Sequence, residues 1–131
     1  MCVCVILTDP PVLRVERDVV AAVVHQSATL TVFAAAEPRP QFTWHNGSTP
    51  LAPSAERVDI NATTIATLGE WKYISTLTLW AVDLWDLTVY RVVVSNDYGS
   101  NQTTIRLTEA SEYAQNKLLQ LVQVFLFLFL N

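Results

Sequence analysis

The sequence predicts an all-β domain, folded as a sandwich of two antiparallel sheets. Three observations predict it. Short segments alternate apolar and polar residues with a period of two, the spacing that turns one face of a strand toward a core. Turn-forming residues separate these segments at Glu37-Pro38-Arg39-Pro40, Pro50 to Pro53 and Asp97-Tyr98-Gly99. Helical tendencies are confined to the two ends of the chain.

The segments support this in order. SATLTVFA places Ala28, Leu30, Val32 and Ala34 on one face. PQFTWHN does the same for Phe42 and Trp44, and ends in Asn46-Gly47, a strong hairpin signal. RVDI reads as a short strand and KYISTLTLWAV as a long one. TVYRVVVSN groups Tyr90, Val92 and Val94, and SNQTTIRLTE turns Ile105 and Leu107 inward against Thr104 and Arg106. Many short strands at this spacing are the mark of a sandwich.

Composition narrows the possible functions. The chain has 131 residues, enough for one domain, of which 51% are apolar and 15% charged. That is ample for a packed core and argues against disorder. The net charge is -4 and the pI is near 4.9. No basic face is on offer to a phosphate backbone, so nucleic acid is not an expected partner. Only three glycines occur, and none forms a phosphate-cradling loop.

The ends read differently. Cys2 and Cys4 stand one residue apart, so a bond between them would be strained, and no other cysteine exists to pair with either. They read as small apolar residues of a first strand or of a leader; an intermolecular bridge or a lipidated anchor is the sharper alternative. MCVCVILTDPP lacks the basic start and longer apolar run of a secretory leader. The expectation is that a leader lies outside this sequence or that the protein is not exported by that route. From Leu118 to Leu130 the tail is nearly all apolar, yet shorter than the roughly 20 residues needed to span a bilayer. Three readings compete: a truncated spanning helix, the apolar end of a lipid-anchor signal with Ala110 and Ser111 as its small residues, or a helix folded back on the domain. The expected organisation is an N-terminal segment or first strand over 1–11, the domain over 12–109, and the tail over 110–131.

Several residues at fixed spacings then carry a resemblance. Pro38 and Pro40 precede Trp44. Leu77, Leu79 and Val82 lead to Asp86 and Tyr90. Asn96 and Gly99 follow the next strand. In this order the chain resembles the immunoglobulin-like superfamily, most closely its I-set branch, over about residues 12 to 109. The resemblance implies a Greek-key β-sandwich with Val32, Trp44, Leu79, Tyr90 and Val92 in its core. It also implies a Tyr90 hydroxyl turned back to the chain near Val82 to Asp86, and a structural ion pair between Arg57 and Asp86. The two positions that hold bridging cysteines in the family are Val32 and Val92 here, so the inter-sheet disulfide is absent. Its loss costs about 2–5 kcal/mol, which two buried valines at about 1.5–3 kcal/mol each offset in large part. His25, where the family often has glycine, and Thr88, where it prefers glycine or alanine, are further departures that bear on local turn geometry.

The missing disulfide suits a reducing compartment, as in muscle filament proteins. Three N-glycosylation sequons argue the other way: Asn46-Gly47-Ser48, Asn61-Ala62-Thr63 and Asn101-Gln102-Thr103. Together with the apolar tail they favour the cell surface or secretion over the cytoplasm.

No catalytic, cofactor or metal site is expected. His25 and His45 stand alone, Asp83 and Asp86 have the tyrosine corner to explain them, and no cluster has metal-ligand spacing. Binding remains. Strand alternation turns Trp80 away from the face that holds Leu77 and Leu79, and Trp85 sits on the turn before Asp86. Both are candidate partner-binding residues, although covering the bottom of the sandwich or packing under the tail is the more ordinary explanation for them. Trp71 opens the same long strand, and His45 with Asn46 marks a second candidate face. The expected function is a non-catalytic recognition or cell-adhesion module of a cell-surface or secreted protein, which binds another protein or a neighbouring immunoglobulin-like domain without a cofactor, with the tail as a candidate membrane tether. The alternatives are an intracellular structural domain of a filament or scaffold protein, and an ectodomain fragment of a receptor kinase.

Overall fold

In the computed structural model, residues 9–54, 56–68 and 71–129 are described. Cys2 and Cys4, and the readings that rest on them, lie outside these residues. Nine strands follow in chain order: β1 (Asp9–Val15), β2 (Val19–Ala22), β3 (Ala28–Glu37), β4 (Gln41–Asn46), β5 (Thr49–Pro50), β6 (Val58–Leu68), β7 (Trp71–Leu79), β8 (Val89–Asn96) and β9 (Gly99–Glu109). A helix, α1 (Ala110–Phe129), closes the series.

The strands form two sheets, one ordered β1-β3-β7-β6 and the other β2-β9-β8-β4-β5. Neighbours in sequence are often not neighbours in space, which is the Greek-key signature. The expected antiparallel pairing holds with one exception: β2 runs parallel to β9, with Val19 opposite Arg106 and Ala22 opposite Glu109. The chain leaves β1 in the first sheet and crosses to the second, so β2 reaches the edge of β9 from the same direction.

Period-two alternation becomes burial. Along β3, Leu30, Val32 and Ala34 are inside while Thr29 is exposed. Along β8, Tyr90, Val92 and Val94 are inside, and Ile105 and Leu107 continue the layer on β9. Trp44, Leu77, Leu79 and Val82 complete the core. Val32 and Val92 are both fully buried, on strands that come within 8 Å of each other, Cα to Cα, across the sandwich. Trp44 lies between the sheets at 0% exposure. Its indole Nε1 donates to Ser75 Oγ at 3.0 Å, and Ser75 Oγ donates to the Asn61 carbonyl at 3.0 Å. A buried donor is thereby satisfied where an indole would otherwise carry an orphan N–H.

Two glycines meet backbone demands. Gly47 holds a φ of 61° in the hairpin between β4 and β5, a region L side chains rarely occupy. A Cβ on Gly99 would lie 3.0 Å from Pro10 Cβ, so the turn between β8 and β9 lets β1 come close. His25 also holds a positive φ, 72°, with its N–H bonded to the Val82 carbonyl at 2.8 Å.

α1 forms because its sequence holds no proline or glycine and is rich in leucine and glutamine. Its base touches β9 and β2. From Leu118 to Phe129 its leucine, valine and phenylalanine side chains are exposed, which does not fit a helix folded back on the domain. The apolar residues run almost consecutively, so they circle the helix and leave no single stripe to lay on a sheet. Phe125 and Phe129, one turn apart, stack with ring centroids 4.5 Å apart. No helix among the described residues is long and apolar enough to cross a membrane.

Candidate functional site

The corner between β7 and β8 brings together Arg57, Trp80, Trp85, Asp86 and Tyr90 of the residues that the sequence singles out. After Leu79 the chain leaves its sheet, passes Trp80 and Val82, and makes one 3-10 turn over Leu84–Asp86. The turn is closed by main-chain bonds from Asp86 N–H to the Asp83 carbonyl at 2.9 Å and from Leu87 N–H to the Leu84 carbonyl at 3.3 Å. Asp86 Oδ2 also accepts the Asp83 N–H at 2.8 Å. A carboxylate at this position meets the unpaired donor that opens the turn.

Arg57, just ahead of β6, reaches the same carboxylate. Its Nη2 donates to Asp86 Oδ2 at 2.8 Å, and its Nη1 lies 3.6 Å from Asp83 Oδ2. Asp86 is buried at 7% exposure, while the Arg57 side chain is nearly half exposed. The pair fixes geometry more than it adds stability, because water screens the guanidinium. The Arg57 carbonyl accepts the Trp80 N–H at 2.9 Å, which ties the main chain at Trp80 to the same residue.

Tyr90 completes the corner. Its hydroxyl donates to the Asp86 carbonyl at 2.7 Å. Burial first, and the neighbouring Asp86 carboxylate second, push the phenol up to about 12, with Arg57 pulling the other way. The proton therefore stays on the oxygen, where the bond needs it.

Around this fixed base the large side chains stand in solvent. Trp80 is 50% exposed and Trp85 71%, with Leu84 exposed beside it on the turn. Trp80 also borders a shallow cleft of about 400 Å³ lined by Pro53, Ser54, Val58 and Asp59. Trp71, by contrast, is only partly exposed. Neither Trp80 nor Trp85 is covered by the tail. A rigid turn that carries free indoles can offer large apolar area at little entropic cost on binding.

The other candidates are spread over the molecule. Asn46 ends β4 at the hairpin, half buried, and Asn61 is exposed on β6. Asn101 uses its amide twice: Nδ2 donates to the Pro11 carbonyl at 3.4 Å and Oδ1 accepts the Gln102 N–H at 2.9 Å. A glycan there would displace the first bond. His45 sits opposite Arg91 on the outer side of the second sheet, and His45 Nδ1 and Arg91 Nε are buried without a hydrogen-bond partner among the described residues. Among the described residues no group of His, Cys, Asp or Glu comes together to hold a metal.

Sequence reasoning missed three contributors. Ser75 is an inward hydroxyl in the alternation of Ser75, Leu77 and Leu79, and a polar residue on a core face opposite an indole is the signal that could have found it. Leu84 lacked a periodic context. The ion pair of Lys72 with Glu37, which raises the lysine above its ordinary value, joins strands whose pairing is not readable from one segment.

Two sheets packed around an indole and pinned by a tyrosine corner define an immunoglobulin-like domain. The chain belongs to the immunoglobulin I-set domain family, whose family model matches residues 10–108. Comparison with curated protein sequences finds no match. Among solved structures, it is similar to Dpr2 Ig1-Ig2 in complex with DIP-Theta Ig1-Ig3, at 26% identity and a TM-score of 0.70, with 78% of this chain and 33% of that one covered. It is also similar to the titin M10–obscurin-like 1 Ig F17R mutant complex, at 27% identity and a TM-score of 0.65, covering 79% of this chain and 95% of that one. The twitchin kinase region from C. elegans matches at 23% identity and a TM-score of 0.63, covering 76% and 16%, a likeness of fold alone. The chain thus spans about a third of the length of the chain it matches in the Dpr2–DIP-Theta complex.

Proposed function

We propose that the domain is a non-catalytic recognition module at the cell surface or in secretion, docking to a protein partner, in the first place another immunoglobulin-like domain. The observation that carries this reading is the exposure of Trp80 and Trp85 on a turn whose base is locked by Asp86. The Dpr2–DIP-Theta and titin–obscurin-like structures, both complexes between proteins that carry such domains, support it. The three sequons favour an exported chain, with Asn46, Asn61 and Asn101 as acceptors. The nearly all-apolar stretch of α1 from Leu118 to Phe129 is the candidate membrane tether at the end of the 12–109 unit.

A second reading, an intracellular domain of a filament protein, is favoured by one observation: Val32 and Val92 leave the sandwich with no use for an oxidising compartment.

One experiment addresses both. The domain is titrated against a panel of I-set domains from adhesion receptors and from filament proteins, alongside W80A/W85A. Binding to a receptor domain that falls at least tenfold in the double variant, at unchanged Tm, is the expected result. Binding confined to filament domains would favour the second reading, and binding indifferent to both substitutions would overturn the site.

A further inference from the structure

We propose that the open edge of β6 pairs antiparallel with the β6 of a second copy of this chain, joining two four-stranded sheets into one continuous sheet. This goes beyond the recognition function above and uses neither Trp80 nor Trp85.

The two sheets have four edges: β1, β6, β2 and β5. Three carry features that blunt strand pairing. β1 holds Pro10 and Pro11 and an irregular register between Asp9 and Val12. β2 has four residues and the base of α1 against it. β5 has two residues, one of them Pro50. β6 has eleven residues, no proline and no lysine, and its register with β7 is regular from Val58 to Thr64 before a shift ahead of Leu68. From Ile60 to Leu68 its sequence, INATTIATL, carries no charge and is rich in β-branched residues, the composition that favours strand addition.

The main chain at this edge has a readable direction. Val58 exchanges both its N–H and its C=O with Ser54, at 3.2 and 2.7 Å, on the side away from β7. Period two then turns the N–H and C=O of Ile60, Ala62 and Thr64 to that same outward side. The Asn61 carbonyl agrees, since it accepts Ser75 Oγ from the β7 side. Beyond the Ser54 bridge no strand among the described residues covers these outward groups. Asn61, Ala62, Thr63 and Thr64 are all exposed.

A second copy suits this edge better than an unrelated strand. A two-fold axis through Thr63 sets Ala62 opposite Thr64 and exchanges two N–H···O=C bonds at that pair. The only charge on the strand, Asp59, lies four residues before the axis, within the regular span. The two aspartates then stand about 27 Å apart, at ~3.4 Å per residue over eight residues. Two copies of an acidic chain can therefore meet along this line without bringing carboxylates together.

A sugar on Asn61 and pairing along this edge are alternative states of the chain, so the test uses the full chain made without glycosylation. Sedimentation over a hundredfold concentration range is paired with hydrogen exchange at the amides of residues 60–64. Three variants are compared: A62K, which places a charge beside the centre of the edge; A62P, which removes one outward donor and spares the β7 ladder; and F127K, which reduces association through α1. The expected result is a wild-type and F127K dimer whose amides at 60, 62 and 64 gain protection as concentration rises. In A62K and A62P the dimer should weaken at least tenfold. Should A62K fail to fold, A62P carries the comparison. Equal exchange at low and high concentration, or edge variants that dimerise like the wild type, would overturn the proposal.

Discussion

Tyr90 Oη donates to the backbone carbonyl of Asp86, four residues upstream, at 2.7 Å. The bond requires a protonated phenol, and the phenol is held up to about 12, chiefly by burial. In the unfolded chain the same group titrates near 10. Stability from this source is thus complete below pH ~10 and is lost as pH rises toward ~12, up to roughly 3 kcal/mol. Denaturant unfolding between pH 9 and 12 should show the decline, and Y90F should lack this component. Y90F should also lower stability at pH 7 by about 1–2 kcal/mol, because the Asp86 carbonyl loses its partner. A parallel decline in Y90F would assign the alkaline limb to other groups.

Val32 and Val92 occupy facing strands at full burial. A V32C/V92C double variant should therefore oxidise spontaneously, adding about 2–4 kcal/mol that reductant removes. The wild-type Tm should not respond to reductant. Two free thiols in the oxidised double variant, read by thiol titration with Cys2 and Cys4 replaced by serine, would place the two positions out of bridging range.

The Trp44–Ser75 bond predicts an asymmetry. S75A deletes one atom yet strands a buried indole N–H, so it should cost about 1–3 kcal/mol. W44F removes the donor and some volume together, and in combination with S75A it should cost less than the two separate losses summed. Additive losses in a double-mutant cycle by thermal unfolding would mean that the two side chains are not coupled.

His25 sits at a φ of 72°, a conformation that disfavours a side chain with a Cβ by about 1–2 kcal/mol. H25G should relieve that and return part of it as unfolded-state entropy, for a net gain of roughly 0.5–1 kcal/mol in chemical denaturation. H25A should give no gain, because alanine keeps the Cβ.

What the sequence made legible follows from its physics. Alternation identified the inward faces of β3, β8 and β9, because each has one wet and one dry side. The tyrosine corner was readable because Asp86 and Tyr90 are close in sequence and their partner carbonyl is local. β6 was read only as RVDI, since its later residues lie at an exposed edge and no period marks them. The parallel seam of β2 with β9 was not legible either: Val19 to Val24 is continuously apolar, and the partner is more than 80 residues away. At the candidate site, alternation predicted the outward turn of Trp80, whereas the freedom of Trp85 from the tail depended on where α1 goes, which no local pattern encodes.

The polar thread from indole to hydroxyl to carbonyl runs from β4 through β7 to β6, crossing the oily interlayer once. Interdigitated hydrocarbon side chains already resist sliding of one layer over the other, yet their attraction has no preferred direction. A directional bond in the middle works like a dowel, so the layers stay in alignment without any covalent cross-tie.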